Sequence, residues 1–344
     1  MNKRCLQNFC AALMIFAALI RAAVAVGLDG EQPLAAPDGA DGQVWTLIVE
    51  RDEPAPEDTP PEETPDEPEE SEPEPEEALD APEPVPDEPA GEALDFTDAE
   101  ADAIDISGAC SYAVDKRALL KQPSTLDFSQ PGPKVLIVHT HSCEAYTPTP
   151  AWDYAASDSY RTRDETRSVI RVGSEIQAVL EAEGIEVLHD TALNDDPAYS
   201  GAYDRMLTTI EEYLTQYPSI QLVLDVHRDA VENPDGTQVC YTTELRGEDC
   251  AQVMLVVGTD EGGLEHPNWR ENLANALKLQ ATLNRSYPGL CRPIDLRTER
   301  FNAHTSPGAL LAEFGAAGNT LPEAIRAARY FAAGVAELVH SLGG

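Results

Sequence analysis

The chain has 344 residues, of which 62 are acidic and only 23 are basic, giving a formal net charge of −39. Proteins that hold nucleic acid by its phosphates need a surplus of lysine and arginine, so this balance excludes nucleic acid as a partner. Composition changes sharply along the chain and divides it into three segments.

The first segment, residues 1–27, reads MNKRCLQNFCAALMIFAALIRAAVAVG. Lys3 and Arg4 precede an apolar run that is interrupted once, by Arg21. A basic start followed by an apolar stretch and small residues is typical of an export signal, which is either cleaved or retained as a membrane anchor. Both cases predict an extracytoplasmic protein, attached to the cell membrane by the anchor or secreted if the segment is cleaved.

The second segment, residues 28–108, is predicted to be an acidic, proline-rich, disordered linker. Its central part, EPAPEDTPPEETPDEPEESEPEPEEALDAPEPVPDEPAGE, has almost no side chains that could form a core. Such a stretch cannot bury enough apolar surface to offset the entropy of ordering it, and its charges and prolines favour an extended chain. A charge-based docking tail is the alternative interpretation.

The third segment, residues 109–344, has ordinary composition and a length that suits one folded domain. Apolar runs alternate with amphipathic stretches, which predicts an α/β fold with a mostly parallel central sheet and helices on both faces. In chain order, the predicted strands are 135–139, 185–190, 220–229, 252–258 and 308–315, and the predicted helices are 167–184, 201–218, 268–289 and 321–344. Between them, YTTELRGED predicts a hairpin turning at Gly247, across which Cys240 and Cys250 could pair, although free thiols are favoured.

Histidines follow the first three predicted strands. His139 and His141 end the first, and alternation in an extended chain predicts that they point the same way. His189 ends the second strand, His227 ends the third, and Glu313 lies in the last. Ligands of such sheets bind beyond the carboxyl ends of the strands. Convergence there would supply three ligands for a catalytic zinc, with Glu313 as a carboxylate that takes a proton from water.

Each of these residues also has a structural interpretation, because a lone histidine at a strand end is more often hydrogen-bonded than metal-bound. His266 and His340 are interpreted in that way, and His304 stays undecided. Asp225 or Asp229 could accept the distal imidazole proton of His227.

The neighbours of these histidines offer further chemistry. Arg228 could clamp a substrate carboxylate or merely neutralise the aspartates beside it. Glu144 is a candidate substrate-binding residue and the next candidate for the base. Cys143 could be a nucleophile or a sulfur ligand.

At this level of detail the chain resembles a known family. The segments VLIVHTHSCEAYTP, LVLDVHRDA and FNAHTSPGALLAEFGAAGNTLPEA follow, in order, the pattern of the stage II sporulation protein P family, over about residues 110–340. The resemblance implies a fold like that of zinc-dependent N-acetylmuramoyl-L-alanine amidases. It also implies a membrane-attached peptidoglycan hydrolase that acts on septal cell wall during forespore engulfment, with stage II sporulation proteins D and M as partners. A second, endopeptidase activity stays open, as do a non-catalytic wall-binding scaffold and a metallophosphatase.

The resemblance also implies roles by position. His227 matches the family's D-h-H-R-D motif, and Glu313 matches its L-h-E-h-G motif as the catalytic carboxylate. The D-P-G-H motif of the related amidases favours His141 over His139 as the first zinc ligand, with His139 as the alternate. His189 would replace the glutamate ligand of those amidases, giving His141, His189 and His227 as the zinc ligands.

Overall fold

The computed structural model describes residues 95–343, so the predicted leader and most of the predicted linker lie outside the described residues. The helices are α1 (Asp98–Ala103), α2 (Lys116–Lys121), α3 (Val169–Ala182), α4 (Ala202–Gln216), α5 (Trp269–Ser286) and α6 (Leu321–Ser341), with a 3₁₀ turn at Ala303–Thr305. The strands are β1 (Ile106–Ser107), β2 (Val135–Val138), β3 (Ala156–Asp158), β4 (Arg161–Thr162), β5 (Val187–His189), β6 (Leu222–Asp229), β7 (Thr242–Leu245), β8 (Glu248–Ala251), β9 (Val253–Gly258), β10 (Ile294–Arg297) and β11 (Ala309–Ala316). None of the helices in this part of the chain combines the length and apolar character needed to cross a membrane.

Seven of these strands form one central sheet in the order β1-β10-β9-β11-β6-β2-β5. Five of its six pairings are parallel, and only β9 and β11 run antiparallel to each other. The predicted mostly parallel sheet is therefore confirmed. Because the direction reverses once, the carboxyl ends of β5, β2, β6 and β11 share one edge of the sheet, and those of β1, β10 and β9 share the other.

Helices cover both faces, as predicted, because alternate residues of the buried strands point to opposite sides. Val135 and Ile137 of β2 belong to the larger core, under α3, α5 and α6. Leu136 and Val138 belong to a smaller core, under α4. Continuous apolar strands are what a sheet buried on both sides requires.

The predicted hairpin is also present, as β7 and β8 joined by Arg246 and Gly247, both with positive φ. A two-residue turn with both residues in the left-handed region matches the twist of the strands that it joins. Cys240 is exposed, Cys250 is buried, and neither forms a disulfide.

The packed domain begins earlier than residue 109, where the linker is predicted to end. Phe96, Ala101 and Ile104 are buried against the larger core, and β1 adds a parallel strand beside β10. Acidic residues dominate the composition around these few apolar residues. A domain boundary drawn from composition alone is therefore placed several residues after the true start of the fold. Residues 95–108 therefore belong to the fold.

This boundary predicts a measurable cost for Ile104→Ala. Ile104 is fully buried, so its truncation should lower the free energy of unfolding by about 2–5 kcal/mol. Val85→Ala, in the acidic part of the predicted linker, is the matched control and should change it by less than about 0.5 kcal/mol. Urea denaturation of the two full-length variants tests this. Equal urea midpoints for Ile104→Ala and Val85→Ala would mean that Ile104 is not part of the folded domain.

Candidate active site

His227 lies at the middle of the candidate site, buried in β6 beside Glu313 of β11. Its Nδ1 lies 3.3 Å from Glu144 Oε2, and its Nε2 lies 2.9 Å from Asp225 Oδ1. The Nε2–H of His227 does not point well at this oxygen. The contact is nevertheless an ion pair, because charge attraction depends on distance more than on angle. Burial opposes a charge on His227, but Asp225 and Glu144 outweigh it and raise the pKa of this imidazole well above its usual value.

Both carboxylates beside His227 are held by other groups. Asp225 accepts hydrogen bonds from the Thr140 backbone N–H at 2.8 Å and from its hydroxyl at 2.6 Å. Glu144 accepts one from the Arg228 backbone N–H at 3.2 Å. Burial would raise the pKa of Glu144, but the charges of Arg228 and His227 lower it to about 2. The two acids are therefore ionised and fixed on either side of one imidazole.

His141 reaches the same place from the turn that follows β2. Its ring is nearly perpendicular to that of His227, with 5.4 Å between the centroids, and its buried Nδ1 has no hydrogen-bond partner. Asp195 Oδ2 lies 3.7 Å from that nitrogen. The Tyr199 ring stacks on one face of His141 at 4.2 Å, and the Tyr203 ring meets it perpendicularly at 5.4 Å. Aromatic contacts thus set the plane of His141 while its Nδ1 stays free.

Glu313 completes this group from the neighbouring strand. Its register partners are His227 on β6 and Met254 on β9. Burial raises the pKa of Glu313, and with the charges of Glu144 and Asp229 it outweighs His227 and Arg228, giving a value of about 8. Its Oε2 is buried without a partner. In this structure Glu313 is therefore a carboxyl group that holds its proton at neutral pH.

His139 and His189 do not join this group. His139 Nε2 lies 2.8 Å from His189 Nε2, and the other ring nitrogens face Val226 O at 3.0 Å and Gln177 Oε1 at 3.2 Å. Burial is the main cause that lowers the pKa of His139 to about 3 and that of His189 to about 4, so both rings are neutral.

The expectation that His139 and His141 point the same way is wrong. Strand β2 ends at Val138, and a turn over residues 140–143 breaks the alternation. His139 continues the larger-core side of β2 and packs under α3, where a Cβ on Gly173 would come within 2.7 Å of it. His189, on the edge strand β5, follows His139 rather than His227, so the structure brings together only two of the three predicted zinc ligands.

Two other predicted groups are committed to the fold. The Arg228 guanidinium is buried and donates to Ala145 O and Tyr160 O, so it is not placed to clamp a substrate. Burial, reinforced by Asp195, raises the pKa of the Cys143 thiol to about 12, which makes it a poor nucleophile. Asp195 and Tyr203 also approach His141, but the sequence did not reveal them, because an aspartate in a polar loop and a tyrosine in the first turn of a helix carry no distinguishing pattern.

The residue types that meet here fit a zinc ion. Two imidazoles and a carboxylate form one of the ligand sets of hydrolytic zinc sites, and His141, His227 and Glu144 are residues of these types that could supply it. Asp225, at the far nitrogen of His227, is the carboxylate that such a ligand commonly has behind it. Within residues 95–343, however, no three His, Cys, Asp or Glu side chains already stand close enough to form a metal site. The donors are present, but they would have to close in on the ion.

Comparison with known sequences gives one family and one curated relative. Residues 45–336 match the family described as stage II sporulation protein P. Stage II sporulation protein P of Bacillus subtilis (strain 168) is 28% identical over an alignment of 209 residues, and the match covers 56% of this chain. The match covers 48% of that protein, so the chain spans about half the length of its relative.

Solved structures give weaker similarities. N-acetylmuramoyl-L-alanine amidase AmiC2 of Nostoc punctiforme has 14% identity and a TM-score of 0.34, covering 60% of this chain and 95% of its own. The CwlD amidase from Clostridioides difficile, solved with the GerS lipoprotein, has 12% identity and a TM-score of 0.34, and the match covers 61% of this chain and 95% of that one. The N-acetylmuramyl-L-alanine amidase Ami1 from Mycobacterium smegmatis has 12% identity and a TM-score of 0.35, and the match covers 61% of this chain and 98% of that one. Similarities this low assign neither a function nor a residue role.

Gly173→Ala should destabilise the protein although it improves helix propensity. An interior helical glycine normally gains roughly 0.5–1 kcal/mol on replacement by alanine. Here the new Cβ would lie 2.7 Å from His139 Nε2 and 2.8 Å from His189 Nε2, so we expect a loss of about 1–3 kcal/mol. Urea denaturation measures it, with Ser174→Ala in the same helix as the control. A stabilised Gly173→Ala would refute the close approach.

Glu313→Gln should change how stability depends on pH. With metal removed by a chelator, the folded-state pKa of about 8 lies above the usual 4.5, so the wild-type protein loses stability as pH rises between these values. Glutamine does not titrate, so the variant's melting temperature should exceed the wild-type value increasingly from pH 5 to pH 8.

The difference should reach several degrees, because about 1 kcal/mol moves the melting temperature of a domain of this size by roughly 2–4 °C. Glu299→Gln is the control, since the pKa of that carboxyl is lowered and its replacement should bring no such gain. A constant difference between wild type and Glu313→Gln across this range would contradict the raised pKa.

Proposed function

Since this chain belongs to the stage II sporulation protein P family, we propose that it hydrolyses peptidoglycan during sporulation as a zinc-dependent N-acetylmuramoyl-L-alanine amidase. The observation that carries the proposal is the meeting of His141, His227, Glu144 and Glu313 at one carboxyl edge of the sheet. The substrate bond would be the amide between N-acetylmuramic acid and L-alanine.

In this proposal His141, His227 and Glu144 would hold the metal. Asp225 would keep the proton on Nε2 of His227, which leaves the lone pair of Nδ1 for the metal. Thr140 holds Asp225 in place through its backbone N–H. Arg228 holds Glu144 through its backbone N–H. Zinc bound there would supply a Lewis acid for water and carbonyl, and a positive charge that favours the ionised form of Glu313.

Glu313 is then the group that moves the proton. Its carboxylate takes a proton from the attacking water and delivers it to the amide nitrogen as the bond to L-alanine breaks. His227 beside it on β6 keeps the carboxylate next to the reacting water. Because Glu313 and His227 are register partners on adjacent strands, the proposed base and the proposed ligand would be neighbours.

The sequence outside the described residues suggests how the domain reaches its substrate. We propose that the leader attaches the protein to the outer side of the cell membrane and that the acidic linker spans the distance to the septal wall. Stage II sporulation proteins D and M are the proposed partners there.

The main rival is a wall-binding scaffold of the same fold without activity. The enzyme should carry one zinc per chain and release new amino groups of L-alanine from purified cell wall. A protein that binds wall but has neither stoichiometric zinc nor new amino groups would be the scaffold. Cleavage of phosphate esters instead would indicate the metallophosphatase.

Variants at the site separate metal binding from proton transfer. Glu313→Gln should keep zinc and fold while activity on muropeptides falls about 10²-fold or more, the scale of a lost general base. His227→Ala and His141→Ala should lose zinc and activity together. His139→Ala is the matched histidine control, because that ring faces His189, and it should retain zinc.

Zinc content is measured by atomic absorption alongside the turnover rate. If Glu313→Gln loses the metal as well, Glu313 is a ligand and the proton must be moved by another residue. If His139→Ala empties the site while His141→Ala does not, the two histidines exchange roles.

A further inference from the structure

During amide hydrolysis a hydrogen-bond donor can stabilise the carbonyl oxygen in addition to the Lewis acid that zinc would supply. Negative charge develops on that oxygen when water adds to the carbonyl carbon, and a fixed hydrogen-bond donor aimed at it is among the strongest catalytic devices. Arg228 is buried and donates to Ala145 O and Tyr160 O, and His227 is held between carboxylates. Arg161 is paired with Asp195. These three cationic side chains are therefore already engaged within the protein.

Tyr203 has the position of such a donor. It lies in the first turn of α4, with its ring perpendicular to His141 at 5.4 Å and against Phe301 at 5.8 Å. Its backbone is held as well, because buried Asn302 donates from Nδ2 to Tyr203 O at 2.9 Å. Contacts on the ring and on the main chain leave the phenol little freedom to turn away.

The acids of the site are close enough to Tyr203 to affect its hydroxyl electrostatically. Burial raises the pKa of Tyr203, and the charges of Asp225, Glu144 and Glu313 raise it further. The side chain is half-buried, and its hydroxyl makes no hydrogen bond to another residue in the part of the chain that the structure describes, so it is available to a bound substrate. A phenol among carboxylates acts as a donor and keeps its own proton.

We infer that Tyr203 donates a hydrogen bond to the carbonyl oxygen of the amide that is cleaved, which rests on the proposed function. As the water oxygen bonds to the carbonyl carbon, the π electrons of C=O move onto the oxygen that Tyr203 faces, and Glu313 takes a proton from the water. When those electrons return, the C–N bond breaks and the nitrogen leaves with the proton from Glu313. Tyr203 is neither consumed nor deprotonated.

The test removes the hydroxyl alone. In the full-length chain, Tyr203→Phe should lower kcat on a soluble muramoyl peptide about 10²-fold, the usual effect of losing one such donor, with KM changed less than about threefold. Tyr213→Phe is the matched control, since it removes a hydroxyl from the same helix, where it faces Asp190 at 3.4 Å, and should leave kcat unchanged.

Two further measurements distinguish catalysis from a structural role. Zinc content and melting temperature of Tyr203→Phe should equal the wild-type values. Calorimetry should show that a phosphinate analogue of the tetrahedral state binds about 10²-fold more weakly to Tyr203→Phe than to wild type. A product of the cleavage should bind equally to both proteins.

The alternatives lead to different results. Full kcat in Tyr203→Phe, or a fall accompanied by lost zinc or lost stability, overturns the assignment while the amidase itself stands. If kcat falls in Tyr199→Phe but not in Tyr203→Phe, Tyr199 is the hydrogen-bond donor, and the assignment to Tyr203 is also overturned. A wild-type protein that cleaves no muramoyl amide removes the proposed function, and this inference with it.

Discussion

An imidazole buried between two carboxylates is the constraint around which this site is organised. Taking His227, Asp225 and Glu144 out of water is costly, and each charge is tolerated only because the others face it at short distance. The two acids need further donors, which Thr140 and Arg228 provide. These contacts join the turn after β2 to strand β6. The requirement to compensate buried charge therefore also brings His141, carried by that turn, beside His227.

The single reversal of direction in the sheet gives Glu313 its unusual surroundings. Strand β11 pairs in parallel with β6 and antiparallel with β9, so Glu313 has His227 on one side and Met254 on the other. An apolar neighbour and burial favour the protonated carboxyl, whereas a cationic neighbour favours the carboxylate. The balance is a pKa of about 8, far from that of Glu144, which is lowered to about 2. Two acids with such different affinities for a proton suit different tasks, one to hold charge and one to move a proton.

The four histidines of the first three strands divide into two pairs because a strand ends. His139 and His189 satisfy each other beneath Gly173, with both rings neutral and all four ring nitrogens facing a partner. His141 and His227 lie on the other side, facing carboxylates. The neutral pair holds helix α3 close to the sheet, since only a residue without a Cβ allows that approach. One pair therefore belongs to the packing of the domain and the other to the candidate site.

The sequence by itself determined the main helices and strands and several residues of the candidate site. Apolar runs and helical periodicity depend on local pattern, so the α/β class, the long helices and the β7–β8 hairpin could be read directly, as could His227 and Glu313 within their motifs. What only the tertiary structure decided was which side chains meet. Where β2 stops decides the direction of His141, the sheet order decides that His189 lies with His139, and long-range contacts decide that Glu144, Asp195 and Tyr203 approach the site. The start of the domain at Phe96 was decided in the same way, because burial of a few apolar residues among acids depends on a core formed far along the chain.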